Sequence, residues 1–447
     1  VTADKEKRVL LWLREDLRFD DHPALLAAVE QGWIYPVFVW DRTFPALQMP
    51  GGASRWWWHH ALGSAQQGWK ERGGWLWLEQ GDPVEILLRL SDAWSIDAVL
   101  WNRAVTPHGR AQEARLMEQC DRAGLVYQSF PGNALWEPGS VMKVDGTAYR
   151  VFTPFFRQGC LGQGPLPMLP REAPRADRMK IAPFPGGEGG VTLEGLGLRP
   201  TIAWDGGLAA SWDVSESGAV ARMESFLAEG LTGYKKGRDF PCLPHISRLS
   251  PYLHSGLLSV RRLWYRVQDM LAKGSVPKAD ADHFCSELGW REFSLMLLCE
   301  HPTMQEIPLQ GAFSRFPWRD DPEGLQAWQQ GRTGYPLVDA AMRCLWATGF
   351  MHNRLRMVVA SFLVKHLLID WRHGERWFWD CLVDADEANN AAGWQWVAGC
   401  GADAAPYFRI FNPLLQSERY DPEGEFIAQY LPMLRGLAPK DRHAPWL

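Results

Sequence analysis

Four segments place carboxylate, amide, guanidinium and aromatic groups at spacings that let them act together. In FCSELGWREF, residues 284–293, Glu287, Trp290 and Arg291 stand at i, i+3 and i+4, positions that share a helix face. Such a face can hydrogen-bond and stack a flat, polar ligand; the plain alternative is a core Trp beside a surface ion pair. In MHNRLRM, residues 351–357, Asn353, Arg356 and Met357 share a face and Arg354 points elsewhere. A buried Arg needs an anionic partner, which Asp384 or Asp386 could supply; the alternative is arginines that reach solvent. In DADEANNAAGWQW, residues 384–396, Asp386 and Asn390 stand one turn apart, Ala391, Ala392 and Gly393 leave room for a flat ligand, and Trp394 and Trp396 face different ways. The alternative is an ordinary helix start with Asp384 as N-cap. Tyr234 to Arg238 and Ile246 to Ser250 form the fourth segment, where the Ser247 and Ser250 hydroxyls suit a phosphate cradle at a helix start.

The elements that must position these groups fall into three parts. In the first 130 residues, apolar runs of strand length at Val9–Leu13, Tyr35–Trp40, Trp75–Leu78, Ala98–Trp101 and Val126–Phe130 are separated by helical stretches such as Ser54–Glu71, Pro83–Ala93 and Pro107–Ala123. That alternation predicts a parallel five-stranded sheet with helices on both faces. The turn after the first run, LREDLRFDDHP, has no Gly, which argues against a nicotinamide-type dinucleotide site. From Gly159 to Gly207 the chain is rich in Gly and Pro and reads as a long linker over the surface. From about Ser215 onward the periodicity is helical, and Arg343–Asp370 reads as nearly continuous. The division is 1–135 for an α/β domain, 136–214 for the linker and 215–447 for an all-α domain.

Composition narrows the classes. Hydrophobic residues make up 46% and charged residues 22% of 447, which excludes a disordered or fibrous chain. Tryptophan is in excess, at 25, which suits cores, stacking platforms or redox relays. The net charge of −5 rules out a uniformly basic coat and leaves room for a local basic groove. The eight cysteines form no C-x-x-C pair, so zinc, thioredoxin-like and clustered iron–sulfur sites are not expected, nor is any metal. The apolar start, Val9 to Leu13, is too short for a signal peptide or membrane span. A cytoplasmic protein is expected.

Together, ISRLSPYL, ELGWREF, GRTGYPLVDAAMR, MHNRLRMVVASFLVKHLLIDWR, DADEANNAAGWQW and GADAAPYFRIFNP resemble the photolyase/cryptochrome family. Within it they are most similar to CPD DNA photolyases of the class I and plant-cryptochrome-related bacterial groups. The similarity runs through essentially the whole chain and is strongest from Tyr234 to Leu434. It implies an α/β domain, a linker and an all-α domain that holds U-shaped FAD. It implies FAD contacts at Tyr234, Ser247, Arg248, Leu249, Ser250, Arg291, Asn353, Arg356, Asp384, Ala385, Asp386 and Asn390, with Arg356 paired to Asp384 and Asn390 facing flavin N5. Glu287, Trp290, Asn353, Met357 and Trp396 would line a lesion cavity, and Arg238, Arg354 and Gln416 would meet DNA. Trp394, Trp371 and Trp318 match a chain for electrons from flavin to surface. Departures are Ile246, where the family often has Thr, and Phe284 and Phe350, where close relatives have Trp.

The implied activity is light-driven repair of cyclobutane pyrimidine dimers in DNA by electron transfer from excited reduced FAD. The alternatives are a cryptochrome photoreceptor and a (6-4) photolyase; the intact Glu287, Trp290 and Met357 set argues against the first, and Asn353 with Met357 against the second. The implied partner is damaged DNA, with no membrane, and the implied state a monomer. A second, folate chromophore is left open. One known folate mode needs a His and an Asn–Glu pair, where this chain has Leu47 and His108-Gly109. FAD is expected as the only cofactor that survives purification, with a folate added on reconstitution. The Trp-rich helix around Arg55, Trp56, His59 and His60 is read either as a stacking site or as plain packing.

Overall fold

A computed structural model describes residues 6–184, 190–404, 406–407 and 409–446. Residues 185–189 of the linker, and Ala405 and Phe408 of the GADAAPYFRIFNP segment, lie outside the described residues.

The five apolar runs form strands β1 (Lys7–Leu13), β2 (Gly32–Asp41), β3 (Trp77–Gly81), β4 (Ala98–Asn102) and β5 (Val126–Phe130). All pair in parallel, in the order β3-β2-β1-β4-β5. Because side chains alternate across a strand, a doubly covered sheet needs apolar residues at every position. β1 shows this directly: Val9, Leu11 and Leu13 enter one core, and Leu10 and Trp12 the other. A short helix, Pro23–Gln31, links β1 to β2; it was not anticipated from the sequence. His22 caps its start, accepting from the Leu25 N–H. Gly32 then turns the chain straight into β2 at φ 149, where a Cβ would fall 2.4 Å from the Lys7 carbonyl oxygen. The strand order reverses between β1 and β4, and in such sheets a crevice opens beyond the carboxyl ends of the strands at that point.

The linker is more structured than its Gly and Pro content suggested. Phe155 and Phe156 are buried in a π-helical segment, Phe155–Gln163. Lys180–Ile181 forms a sixth strand beside Trp33 and Ile34 of β2, and Gly190 bridges to Leu78. The composition signalled breaks in regular structure, and the isolated apolar residues between the breaks still find the sheet and the core.

The rest of the described chain is helical around the 23-residue helix Lys278–Glu300. The stretch 343–370, expected to be nearly continuous, is broken. One helix, Pro336–Thr348, ends on Gly349 in the left-handed region, a common helix stop. A new helix, Asn353–Ser361, starts after His352. The break puts Asn353 and Arg356 on a first turn rather than mid-helix. The Trp-rich helix Gly52–Glu71 is a packing element: Trp56, Trp57, Trp58 and His59 are buried in the core that also takes in the helical part. The Trp57 indole N–H donates to Ser255 Oγ at 2.9 Å, tying the two parts together.

Candidate functional site

The helical part encloses a cavity of about 550 Å³, the size class of a cofactor or small-molecule site. Residues from all four sequence segments meet on its wall. Tyr234, Arg238, Ser247, Arg248, Leu249 and Ser250 line it from the early loops, and Glu287, Trp290 and Arg291 from the long helix. Asn353, Arg356 and Met357 enter from the first turns after the break, and Asp384, Asp386, Asn390, Trp394 and Trp396 from the last segment. Of the remaining expected residues, Ala385 faces a second, smaller cavity. Arg354, Gln416, Trp318 and Trp371 do not line the first cavity.

The charged groups are organised. Arg356 Nη2 donates to both oxygens of Asp384, at 2.9 and 2.8 Å. Ser250 Oγ donates to the same carboxylate at 2.6 Å, so its hydroxyl is not turned to a helix start as a cradle would require. Asp384 is not the N-cap either. Asp386 caps helix Glu387–Ala398, accepting from Asn389 N–H at 2.8 Å, and lies 3.3 Å from His254. Burial works against both charges, but the pairing wins: it raises the His254 pKa and holds Asp386 below the usual carboxylate range. Glu287 does not pair with Arg291 along its helix. It pairs with Arg238, while Arg291 donates to Glu292 Oε1 at 2.6 Å and to the Asn133 carbonyl at 2.8 Å.

Arg248 is different. Its φ of 54 is unusual for a side-chain-bearing residue and costs on the order of 1–3 kcal/mol. The guanidinium lies over Trp212 and Phe350, 4.3 and 5.3 Å from the ring centroids. Its buried Nε has no partner, and burial lowers its pKa. A cation held in this way beside a cavity suits an anionic ligand. Gly393 lines the same cavity with nothing within 4 Å of where a Cβ would be, leaving space for a flat ring. The cavity thus fits a large ligand with an anionic part and a planar part, as FAD has.

The aromatic groups divide by burial. Trp290 stacks on Phe152 at 3.8 Å and 11°, so the linker fixes one face of the indole while Trp290 lines the cavity. Trp394 is 3% exposed and Trp371 is 1% exposed. Trp394 lies against helix Trp371–Cys381 at Gly374, where a Cβ would come within 2.1 Å of its ring. Trp318 is half-buried, and the next residue, Arg319, donates its N–H to the Leu368 carbonyl just before that helix. Trp394 and the segment of Trp318 thus each approach the helix that begins at Trp371. Arg354 pairs with Asp239 at 2.9 Å and lies over Tyr420. Gln416 is half-buried on helix Pro413–Tyr420.

Sequence reasoning missed Phe152, His254 and Glu375. Phe152 sits in the linker, His254 ends a five-residue helix, and Glu375 lies in the Trp-rich run WRHGERWFWD, residues 371–380. Asn390 Nδ2 donates to Glu375 Oε1 at 2.8 Å and to its backbone carbonyl at 3.0 Å. Burial pushes the Glu375 carboxyl up to about 7, against the pull of the Asn390 hydrogen bond.

The second cavity, about 150 Å³, lies beyond the carboxyl ends of β1, β2 and β4 and is lined by Arg14, Asp41, Asn102, His108 and Gln112 among others. Its charged groups pair with one another: His108 with Asp41 at 2.8 Å, and Arg14 with Glu113. Glu387, on its helical side, accepts from Gln48 Nε2 at 3.0 Å. Burial, with Asp386, Glu15 and Glu375 nearby, pushes its carboxyl up to about 8. At Gly109 a Cβ would stand 2.5 Å from Ala104 Cβ, so no larger side chain fits there without movement.

Residues 284–447 match the FAD binding domain of DNA photolyase, and residues 9–173 match DNA photolyase. A deoxyribodipyrimidine photo-lyase of Agrobacterium fabrum is 42% identical over 446 residues, covering 99% of this chain and 90% of that protein. Cryptochrome-2 of Arabidopsis thaliana is 35% identical, covering 99% of this chain and 73% of that protein. The crystal structure of a bacterial class III photolyase from Agrobacterium tumefaciens superimposes with a TM-score of 0.93 at 42% identity, covering 100% of this chain and 90% of that one.

Proposed function

The chain belongs to the DNA photolyase family, with FAD as its cofactor, and from that premise we propose that it repairs cyclobutane pyrimidine dimers in DNA under blue light. The observation that carries this reading is the meeting of Glu287, Trp290, Asn353, Met357 and Trp396 with the Arg356–Asp384 pair on one cavity wall. The first group suits a flipped-out pyrimidine dimer and the second suits the flavin, so substrate and cofactor would share one enclosure.

With FAD bound, the chemistry supplied would be loan of an electron to the cyclobutane ring and its return, with no net redox change. The protein positions and shields. Taking the dimer out of the stack costs a few kcal/mol, least for a damaged pair. Trp290, backed by Phe152, and Trp396 offer ring faces to the extruded pyrimidines. Glu287 and Asn353 offer a carboxyl group and an amide to their edges, and Arg238 holds Glu287 in place. The Arg356–Asp384 pair, with Arg248, holds the cofactor. Asn390, on the cavity wall, would face flavin N5. Arg354, Arg238 and Gln416 form the rim that DNA meets, and the chain acts as a monomer. Trp394, Trp371 and Trp318 carry electrons inward to re-reduce the flavin.

The test is repair of defined DNA carrying either a cyclobutane dimer or a (6-4) photoproduct, under blue light with reduced enzyme. Restoration of the first substrate alone is the expected result. Light-driven flavin changes with neither lesion repaired would return the cryptochrome reading, and restoration of the second alone would return the (6-4) reading. Trp318→Phe should slow photoreduction of oxidised FAD and leave repair by pre-reduced enzyme unchanged; equal photoreduction would remove Trp318 from the path.

A further inference from the structure

Glu287 is held at the cavity by way of a third residue. Its carboxyl takes a hydrogen from Nη1 of Arg238, and the same Nη1 lies 3.1 Å from Nε2 of His283. His283 stands one turn before Glu287 on helix Lys278–Glu300, so the guanidinium bridges two side chains of one helix face. Arg238 and Glu287 line the cavity, and His283 sits behind them. The Arg238 backbone is fixed separately, its N–H donating to the Tyr234 carbonyl at 2.9 Å. The placing of its side chain is left to the two partners.

An arginine nitrogen donates and never accepts. Nε2 of His283 must therefore accept, which puts the ring proton on Nδ1 and leaves the imidazole neutral. A protonated ring carries N–H at both positions. It would set a donor and a positive charge against Nη1, the atom that reaches Glu287. We propose that His283 is a positioning residue for lesion recognition: neutral, it holds Arg238 on Glu287; protonated, it breaks that arrangement, and the cavity discriminates a pyrimidine dimer less well. This rests on the reading that Glu287 meets the extruded dimer.

The groups facing His283 come from two elements. Glu287 lies on its own helix, and Arg238, Lys235 and Asp239 lie on the segment packed across it, with the Tyr234 ring 6.2 Å away. Asp239 is paired with Arg354, and Asp280, one turn earlier on the helix, accepts from the Gly233 and Lys235 N–H groups. Burial and then the Arg238 charge hold the His283 pKa below its ordinary value. The hold on Arg238 is thus complete at neutral pH and is lost as pH falls below about 6.5.

The holoprotein is titrated with DNA carrying a cyclobutane dimer and with the same DNA undamaged, and the ratio of the two affinities is read from about pH 8 down to about pH 5. FAD content is measured for every variant. Taking the ratio removes the general pull of phosphate on a protonated rim. In the parent the ratio should fall about tenfold, as expected when a hydrogen bond to a charged group is lost. His283→Leu should show the lower ratio at every pH. His283→Gln, whose amide oxygen can accept from Arg238 and does not titrate, should keep the higher ratio at every pH. A parent-like ratio for His283→Leu at neutral pH, or a fall that persists in His283→Gln, would overturn the proposal. A parent that tells the two DNAs apart at no pH would overturn the lesion reading itself. A second measurement needs no variant that must fold: in parent holoprotein labelled with 15N-histidine, His283 should show a protonated Nδ1 and a bare Nε2 at neutral pH. A proton on Nε2 there would sink the positioning role even if the dimer is recognised.

Discussion

The large cavity in the helical part and the small one at the sheet's edge share a wall, since His254, Arg291 and Asp386 line both. They differ in what their polar groups have left over. In the small cavity Asp41, His108, Gln112 and Thr43 hydrogen-bond one another, and Glu387 is pushed up to about 8 and so stays neutral at pH 7. In the large cavity Arg248 keeps a buried Nε without a partner, held at a strained backbone angle against two aromatic rings. A buried N–H without a partner is costly, and one on a cation suits an external anionic partner. The large cavity leaves a cationic N–H over for an anionic ligand; the small one has its charged groups paired and leaves over only neutral atoms, the Trp12 and Trp40 indole N–H groups and Gln48 Oε1.

The largest expected effect comes from breaking the large cavity's own pair. Asp384→Ala leaves Arg356 with no carboxylate and removes the acceptor for Ser250. Breaking such a pair costs about 3 kcal/mol in buried settings. Purified Asp384→Ala should carry little flavin, read as absorbance per chain; parent-like content would mean the pair does not hold the cofactor.

A smaller effect of opposite sign comes from the shared wall. Glu387 is protonated in the fold up to about pH 8 and ionises near pH 4 when unfolded. The unfolded chain therefore loses its proton first, and this residue's contribution to stability falls as pH rises from about 4 to 8. Glu387→Gln keeps an amide oxygen for Gln48 and removes the titration. It should raise stability by about 2 kcal/mol at pH 8 and by much less at pH 5, measured by denaturant unfolding. A gain equal at both pH values would show that burial of this carboxyl is not the cause.

Much of this contrast was legible in the residues, and the failures have physical reasons. Helix faces were readable where spacing alone sets them, so Asn353, Arg356 and Met357 arrive together, as do Glu287 and Trp290. Pairing across elements was not readable. Arg238 takes Glu287 from Arg291, and Asp386 rather than Asp384 caps its helix, because those choices depend on distances between segments far apart in sequence. The parallel sheet was plain from continuous apolar runs, and short pieces without periodicity were not: the helix Pro23–Gln31, the sixth strand at Lys180–Ile181 and the stop at Gly349. The Trp-rich helix 52–71 could have been a stacking site or a packing element; buried indoles at Trp56, Trp57 and Trp58 decide for packing.

The rim of the large cavity gives a weaker effect. Arg354 is already paired with Asp239 and lies over Tyr420, so DNA phosphate has to compete with a carboxylate for it. Affinity for dimer-containing DNA should fall steeply with salt, as counterion release requires. Arg354→Ala should lower the slope of log K against log salt by about 1 and leave flavin content unchanged. An unchanged slope would keep Arg354 with Asp239 and off the DNA.

The smallest expected effect belongs to the small cavity. A folate there would need donors and acceptors for its pterin ring, and the charged residues on hand are engaged, which leaves the Trp12 and Trp40 indole N–H groups and Gln48 Oε1. His108 and Gln112 are held by Asp41 at 2.8 and 2.5 Å. At Gly109 a carboxylate side chain would begin 2.5 Å from Ala104 Cβ, and Leu47 offers no polar group. A buried donor left without a partner costs about 1–3 kcal/mol, enough to turn a tight site into a weak one. Freshly purified protein should therefore show flavin bands alone, with no near-UV band from a second chromophore. Added folate should bind only weakly, bringing up that band and energy transfer to the flavin on titration. Asp41→Asn should loosen His108 and change that weak binding, while leaving FAD in the large cavity untouched. A second chromophore that survives purification would show that satisfied polar groups can reopen for a ligand, and the contrast between the two cavities would then be one of degree.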